Sequence, residues 1–112
     1  MTPAQVRRIA LSLPGSVEKD HHGKPSFRID DKIFATLWDE EHLNVMLDPL
    51  RIMDVIEEHP KVLEELWWGR QLRCVRVNLK LVSSKLMKEL LAEAWKRKSD
   101  GRKQAPTPEH SG

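Results

Sequence analysis

Tyrosine is absent from this 112-residue chain and cysteine occurs once. No apolar run approaches the roughly 18 residues that a membrane helix needs, which excludes a helical spanning protein. A lone Cys74 can neither close an intramolecular disulfide nor build a thiolate zinc site, so stability must come from packing. The opening stretch, residues 1–15, lacks both a continuous apolar core and a small-residue cleavage site, which reads as mature sequence with the cytoplasm as its default place. Nothing resembles a P-loop or a GxGxxG fingerprint, and there is no internal repeat. No acid, base and nucleophile form a recognisable set, so no catalytic activity is expected, and no cofactor either.

What is present suits one domain: 39% hydrophobic residues and a mean hydropathy of -0.55. The net charge of +2 conceals a split. Residues 1–60 hold 7 basic and 11 acidic side chains, a balance of −4; residues 61–112 hold 12 and 6, a balance of +6. Between Arg70 and Lys103 eleven basic residues stand against Glu89, Glu93 and Asp100. A charged segment is ordinarily a solvated face, but this asymmetry also suits a polyanionic partner.

Thr2-Pro3-Ala4-Gln5 forms a helix start, with Val6, Ile9, Ala10 and Leu13 at helical spacing and Leu13-Pro14-Gly15 as the stop. From Val17 to Asp48 the period changes to two, giving candidate strands near 26–30, 32–38 and 42–48 around polar turns at Asp30-Asp31 and Asp39–Glu41. The middle strand is ambiguous: Ile33, Ala35 and Leu37 lie on one side, Phe34, Thr36 and Trp38 on the other. Asp48-Pro49 opens a second helix that ends near His59-Pro60. Val62, Leu63 and Leu66 suit a short helical turn before Trp67-Trp68-Gly69. A last strand carries Val75, Val77, Leu79 and Leu81 on one face and Cys74, Arg76, Asn78 and Lys80 on the other. Ser83 or Ser84 caps the final helix, whose Leu86, Met87, Leu90, Leu91, Ala94 and Trp95 form an apolar stripe. A single domain over residues 1–98 is followed by a polar, proline-bearing stretch, 99–112, that reads as a disordered tail.

This order predicts an α+β fold, an antiparallel sheet with helices packed on one face. The opposite face then displays Arg28, Asn44, Arg76, Asn78 and Lys80, with Trp38 or Phe34. Cys74 reads as structural. His21-His22 would point to opposite sides of an extended segment, so no metal site is expected. One of Trp67 and Trp68 should pack inward, leaving the other beside Arg70 and Arg73, where it could stack on a base.

Several ordered motifs resemble the MmcQ/YjbR-like family of small bacterial proteins over roughly residues 2–98. They are Ala10–Gly15, His22-Gly23-Lys24-Pro25-Ser26-Phe27-Arg28, Lys32-Ile33-Phe34-Ala35, Leu47-Asp48-Pro49 and Leu90–Lys96. The resemblance implies a two-layer sandwich similar to CyaY and frataxin, and a DNA-binding role with hairpins as a double wing. Lys24, Arg28, Arg70, Arg73, Arg76 and Lys80 are then the candidate phosphate contacts, with Trp68 as a stacking partner. The alternative is a protein-interaction or small-ligand module of the same fold, favoured by acidic hairpin tips that would repel DNA. In either case a monomer without a bound metal is expected.

Overall fold

The structure, a computed structural model, describes residues 1–104. Helix α1 (Pro3–Leu11) precedes strands β1 (Val17–His21), β2 (Lys24–Ile29), β3 (Lys32–Asp39) and β4 (His42–Met46). Helix α2 (Pro49–Glu58), strands β5 (Leu63–Trp68) and β6 (Gln71–Asn78) and helix α3 (Ser84–Gln104) complete it. One antiparallel sheet runs in the order β1-β2-β3-β4-β6-β5. The expected α+β arrangement of helices on one sheet face is what the chain adopts.

Local chemistry sets the boundaries. The Thr2 hydroxyl accepts from the Gln5 N–H while the Gln5 side chain accepts from the Thr2 N–H, a reciprocal cap on α1. Asp48 caps α2 through the Leu50 N–H, with Pro49 in the first turn. His22 and Gly23 both have positive φ, as do Asp30 and Asp31, which matches the two-residue hairpins that follow the twist of their strands.

Helix α3 lies across β2, β3 and β4, α2 covers β5 and β6, and α1 packs on α3. The core between helices and sheet contains Val6, Ala10, Phe27, Phe34, Leu43, Val45, Ile52, Val75, Val77, Met87, Leu90 and Leu91, all fully buried. Trp95 is only partly buried at its edge, where the indole N–H donates to the Pro14 carbonyl at 2.9 Å. Arg7 and Glu18 tie α1 to β1, and Arg51 and Glu93 tie α2 to α3, each through two hydrogen bonds.

Four expectations need correction. Residues 63–68 are a strand, not a helical turn: they close a hairpin on β6, and the cross-strand pairing outweighs a pattern compatible with either structure. Strand β6 stops at Asn78, because the Asn78 side chain accepts from the Lys80 N–H and turns the chain; Leu81 is consequently exposed. The ambiguity in β3 is a β-bulge. Phe27 pairs with Ala35 but Arg28 pairs with Ile33, so Phe34 is the extra residue and can be buried together with Ala35 and Leu37. Helix α3 runs on to Gln104 and buries Ser99, which was expected to open the tail; residues 105–112 of that tail lie outside the described residues. Among the described residues no helix is long and apolar enough to cross a membrane.

Gly15, between α1 and β1, sits at φ +75°, and a Cβ there would stand 2.9 Å from Ile29 Cδ1. Gly15→Ala should therefore lower stability by about 1–3 kcal/mol, since conformational strain and a core clash coincide. At Gly23 (φ +84°) nothing lies within 4 Å of an added Cβ, so Gly23→Ala carries the conformational penalty alone. Urea unfolding of the two variants should rank Gly15→Ala as the more damaging; the reverse order would contradict the packing described.

Candidate functional site

The sheet face away from the helices holds a cavity of about 620 Å³. Register explains who lines it. Ser26 pairs with Thr36, Thr36 with Asn44, Asn44 with Arg76 and Arg76 with Glu64, so these side chains form one polar row across five strands. Beside it, Met46 pairs with Cys74 and Cys74 with Leu66, and these join Ile33 as an apolar row in the cavity wall.

Trp38 shares this face with Thr36 by the two-residue alternation of β3, and it is also the extra residue of a second bulge, between the Leu37–Leu43 and Asp39–His42 pairs. It is 42% exposed. Lys24 Nζ lies 4.5 Å and Arg76 Cζ 5.0 Å from its ring centroid. Lys24 also donates to the Trp38 carbonyl at 2.7 Å, and Arg76 Nε donates to Asn44 Oδ1 at 2.9 Å, so both cations are fixed from a second direction. Across the cavity Trp68 has Arg73 Cζ 5.0 Å from its ring. Arg73 is itself the extra residue of a third bulge, between the Leu66–Cys74 and Trp67–Leu72 pairs.

Of the residues singled out from sequence, Lys24, Trp68 and Arg76 line the cavity, and Arg73 reaches its Trp68 wall. Arg28 shares the face, donating to the Ser26 hydroxyl at 3.0 Å. Arg70 lies elsewhere. With Arg73, Arg97 and Lys98 it rims a second groove of about 490 Å³, floored by Leu47, Met53, Trp67 and Leu72 on the helix side of the sheet. Burial first, then the neighbouring Arg97, Arg73 and Lys32, holds the Lys98 ammonium pKa below its ordinary value. Lys80 is separate from both: it follows the end of β6 and pairs with Glu41 at 3.2 Å.

Neither Trp67 nor Trp68 packs inward as expected. They are 50% and 51% exposed; as consecutive residues at the end of β5 they face opposite sides of the sheet, Trp68 toward the cavity and Trp67 toward the groove on the helix side. Phe34, offered as an alternative to Trp38 on the open face, is fully buried. The histidines differ from expectation too. The positive φ of His22 brings the His21 and His22 rings within 4.5 Å of one another, and both line the cavity. Among the described residues no group of three or more side chains could hold a metal ion.

Two carboxylate-rich turns flank this face. Asp39 accepts the Glu41 N–H at 2.8 Å, which holds its pKa below the usual carboxylate range, with His42 adding to the effect. Lys19 pairs with Asp31 at 3.2 Å in the neighbouring hairpin. Cys74 is buried in the cavity wall, and burial pushes its thiol up to about 11 against the opposing pull of Arg73, Arg76 and Lys98. At neutral pH it is a protonated wall residue, not a nucleophile. A disulfide reagent at pH 8 should label native Cys74 about a hundredfold more slowly than the urea-unfolded chain. Equal rates would mean that the thiol is neither shielded nor shifted.

Comparison with known proteins agrees with this fold. The crystal structure of Deinococcus radiodurans protein DR2400, with a DUF419 domain, is similar at a TM-score of 0.67 and 22% identity, covering 80% of this chain and 72% of that one. No curated protein matches the sequence. The YjbR family model matches residues 11–97, which spans every strand, α2 and most of α3. The chain belongs to the YjbR family.

Proposed function

We propose that this protein is a nucleic-acid-binding module that takes a single strand on the open face of its sheet. One observation carries the reading: two half-exposed indoles, Trp38 and Trp68, face one cavity, each with a cation within 5.0 Å of its ring. Bases stack on aromatic side chains whatever their identity, and neighbouring cations hold the backbone. Lys24, Arg73 and Arg76 supply that charge, with Arg28 further along β2.

A single strand suits the face better than a duplex. The turns at Asp30-Asp31 and Asp39–Glu41 carry carboxylates where a double wing would meet phosphates, and Lys80 is engaged with Glu41. Arg76 lies within the sheet instead, paired with Asn44, and Lys24 is held over the Trp38 ring. A free small anion is a second reading, favoured by the cavity's volume, which falls within the range of small-molecule sites.

Fluorescence anisotropy with a labelled single strand and the corresponding duplex tests the proposal. The single strand should bind more tightly. If Lys24, Arg28, Arg73 and Arg76 each neutralise one phosphate, log K should fall with log salt at a slope of about −3. Trp38→Ala should weaken binding by about 1–3 kcal/mol with little loss of stability, because the indole is outside the core. Absence of binding at low salt, or full binding by Trp38→Ala, would overturn the proposal; binding of a free mononucleotide alone would leave the small-anion reading.

A further inference from the structure

We propose that the groove on the helix side of the sheet is a docking site for a partner protein, taking an acidic segment that carries apolar anchor side chains. It does not depend on the single-strand reading, because it concerns the opposite face of the sheet.

Helix α2 packs on β5 and β6, while α3 packs on β2, β3 and β4. Between the start of α2, the C-terminal half of α3 and the end of the β5–β6 hairpin, the groove of about 490 Å³ stays open. Its floor is apolar. Leu47 and Leu72 are buried there, whereas Met53 and Trp67 are 56% and 50% exposed. The Trp67 indole N–H already donates to Glu65 at 3.0 Å, so what the ring offers the groove is its apolar face. Leu50, three residues before Met53 on α2 and exposed, extends the apolar strip.

The rim is cationic. Arg70 and Arg73 come from the hairpin, Arg97 and Lys98 from α3. Among residues 1–99 none of the four is paired with a carboxylate, and no Asp or Glu lines the groove. Lys98 registers the crowding: after burial, it is the charges of Arg97 and Arg73 that hold its ammonium pKa below the ordinary value. Carboxylates brought by a partner would relieve that repulsion and complement the rim.

Floor and rim together point to a protein. Exposed Trp, Met and Arg are the residues that protein interfaces concentrate. A small-molecule site buries most of its ligand, whereas here Met53 and Trp67 stand half in water. A nucleic-acid strand needs successive rings to stack on, and this floor is aliphatic apart from one indole. An aliphatic or aromatic side chain flanked by carboxylates matches both parts.

The test is a titration of the full chain, followed by nitrogen–proton NMR correlation spectra, with peptides of equal length made of Glu and Leu, of Gln and Leu, or of Glu and Ser. The Glu/Leu peptide should shift the Trp67 indole N–H signal and the Leu72 amide while the Trp38 and Trp68 indole signals stay in place. Each control peptide, lacking either charge or anchor, should bind at least about fivefold more weakly. Met53→Ala should weaken the Glu/Leu peptide about fivefold by removing floor area, and Arg70→Gln with Arg97→Gln should do so by a similar factor. All three positions are exposed and outside the core, so neither variant depends on repacking. Met53→Ala should keep single-strand affinity within about twofold, since it does not line the cavity. Equal binding of the three peptides, no binding of the Glu/Leu peptide at millimolar concentration, or shifts at Trp38 and Trp68 in place of Trp67 would overturn the proposal. It would also fall if the oligonucleotide moved the Trp67 signal and the Glu/Leu peptide did not, because the groove would then belong to the nucleic-acid track.

Discussion

Regular cross-strand register sets the rows of the open face, and one bulge in β3 lets that strand serve the core as well. In a regular strand each added residue swaps faces, and a bulge is the one local device that breaks this alternation without ending the strand. The bulge at Phe34 lets β3 bury Phe34, Ala35 and Leu37 on one side while Ile33, Thr36 and Trp38 serve the other. The bulge at Trp38 leaves an indole unpaired at the end of the same strand, and the extra residue Arg73 sets its guanidinium 5.0 Å from the Trp68 ring. Two of the three extra residues are thus members of the candidate site. Remove the bulges and the apolar pattern of β3 could not supply a core and a cavity at once.

Charge is distributed to match. The cations of the open face are held by neutral partners: Lys24 by a carbonyl and an indole, Arg76 by an amide and the same indole, Arg28 by a hydroxyl. They therefore keep their full charge toward solvent or a ligand. Lys19 and Lys80 are instead paired with carboxylates of the acidic turns, Lys19 with Asp31 and Lys80 with Glu41. The modest net charge of +2 conceals this division, because it sums positions whose fields point to different places.

Most of the architecture was legible in the sequence, since caps and periodicity are local. Thr2-Pro3, Asp48-Pro49 and the alternation of β4 located their elements, and the one-sided helix cover followed from element order. What escaped was non-local. Residues 63–68 declare themselves a strand only by pairing with β6, and a bulge is visible only as a mismatch between two strands that sequence does not align. The site was half legible. Lys24, Trp68 and Arg76 were recognisable as cations and an aromatic on or near strands, whereas Asn44 looked like any polar residue on an outward face. Its 7% exposure depends on two neighbouring strands and a cross-strand bond that no spacing reveals. Lys80 failed for the opposite reason: the period-two pattern continued in the sequence after the chain had turned at Asn78.

The open face is the costly part of this molecule. Two large indoles stand half in water and a buried amide is left without an acceptor, while the helix side of the sheet is packed with fully buried apolar residues. A fold optimised only for stability would bury or replace those groups. The covered core tolerates them because it does not depend on them: none of Trp38, Trp68, Asn44 or Arg76 belongs to the core cluster. Fold and site therefore occupy opposite faces of one sheet. Substitutions on the open face can then alter what is bound while the helix-covered layer still holds the backbone in register.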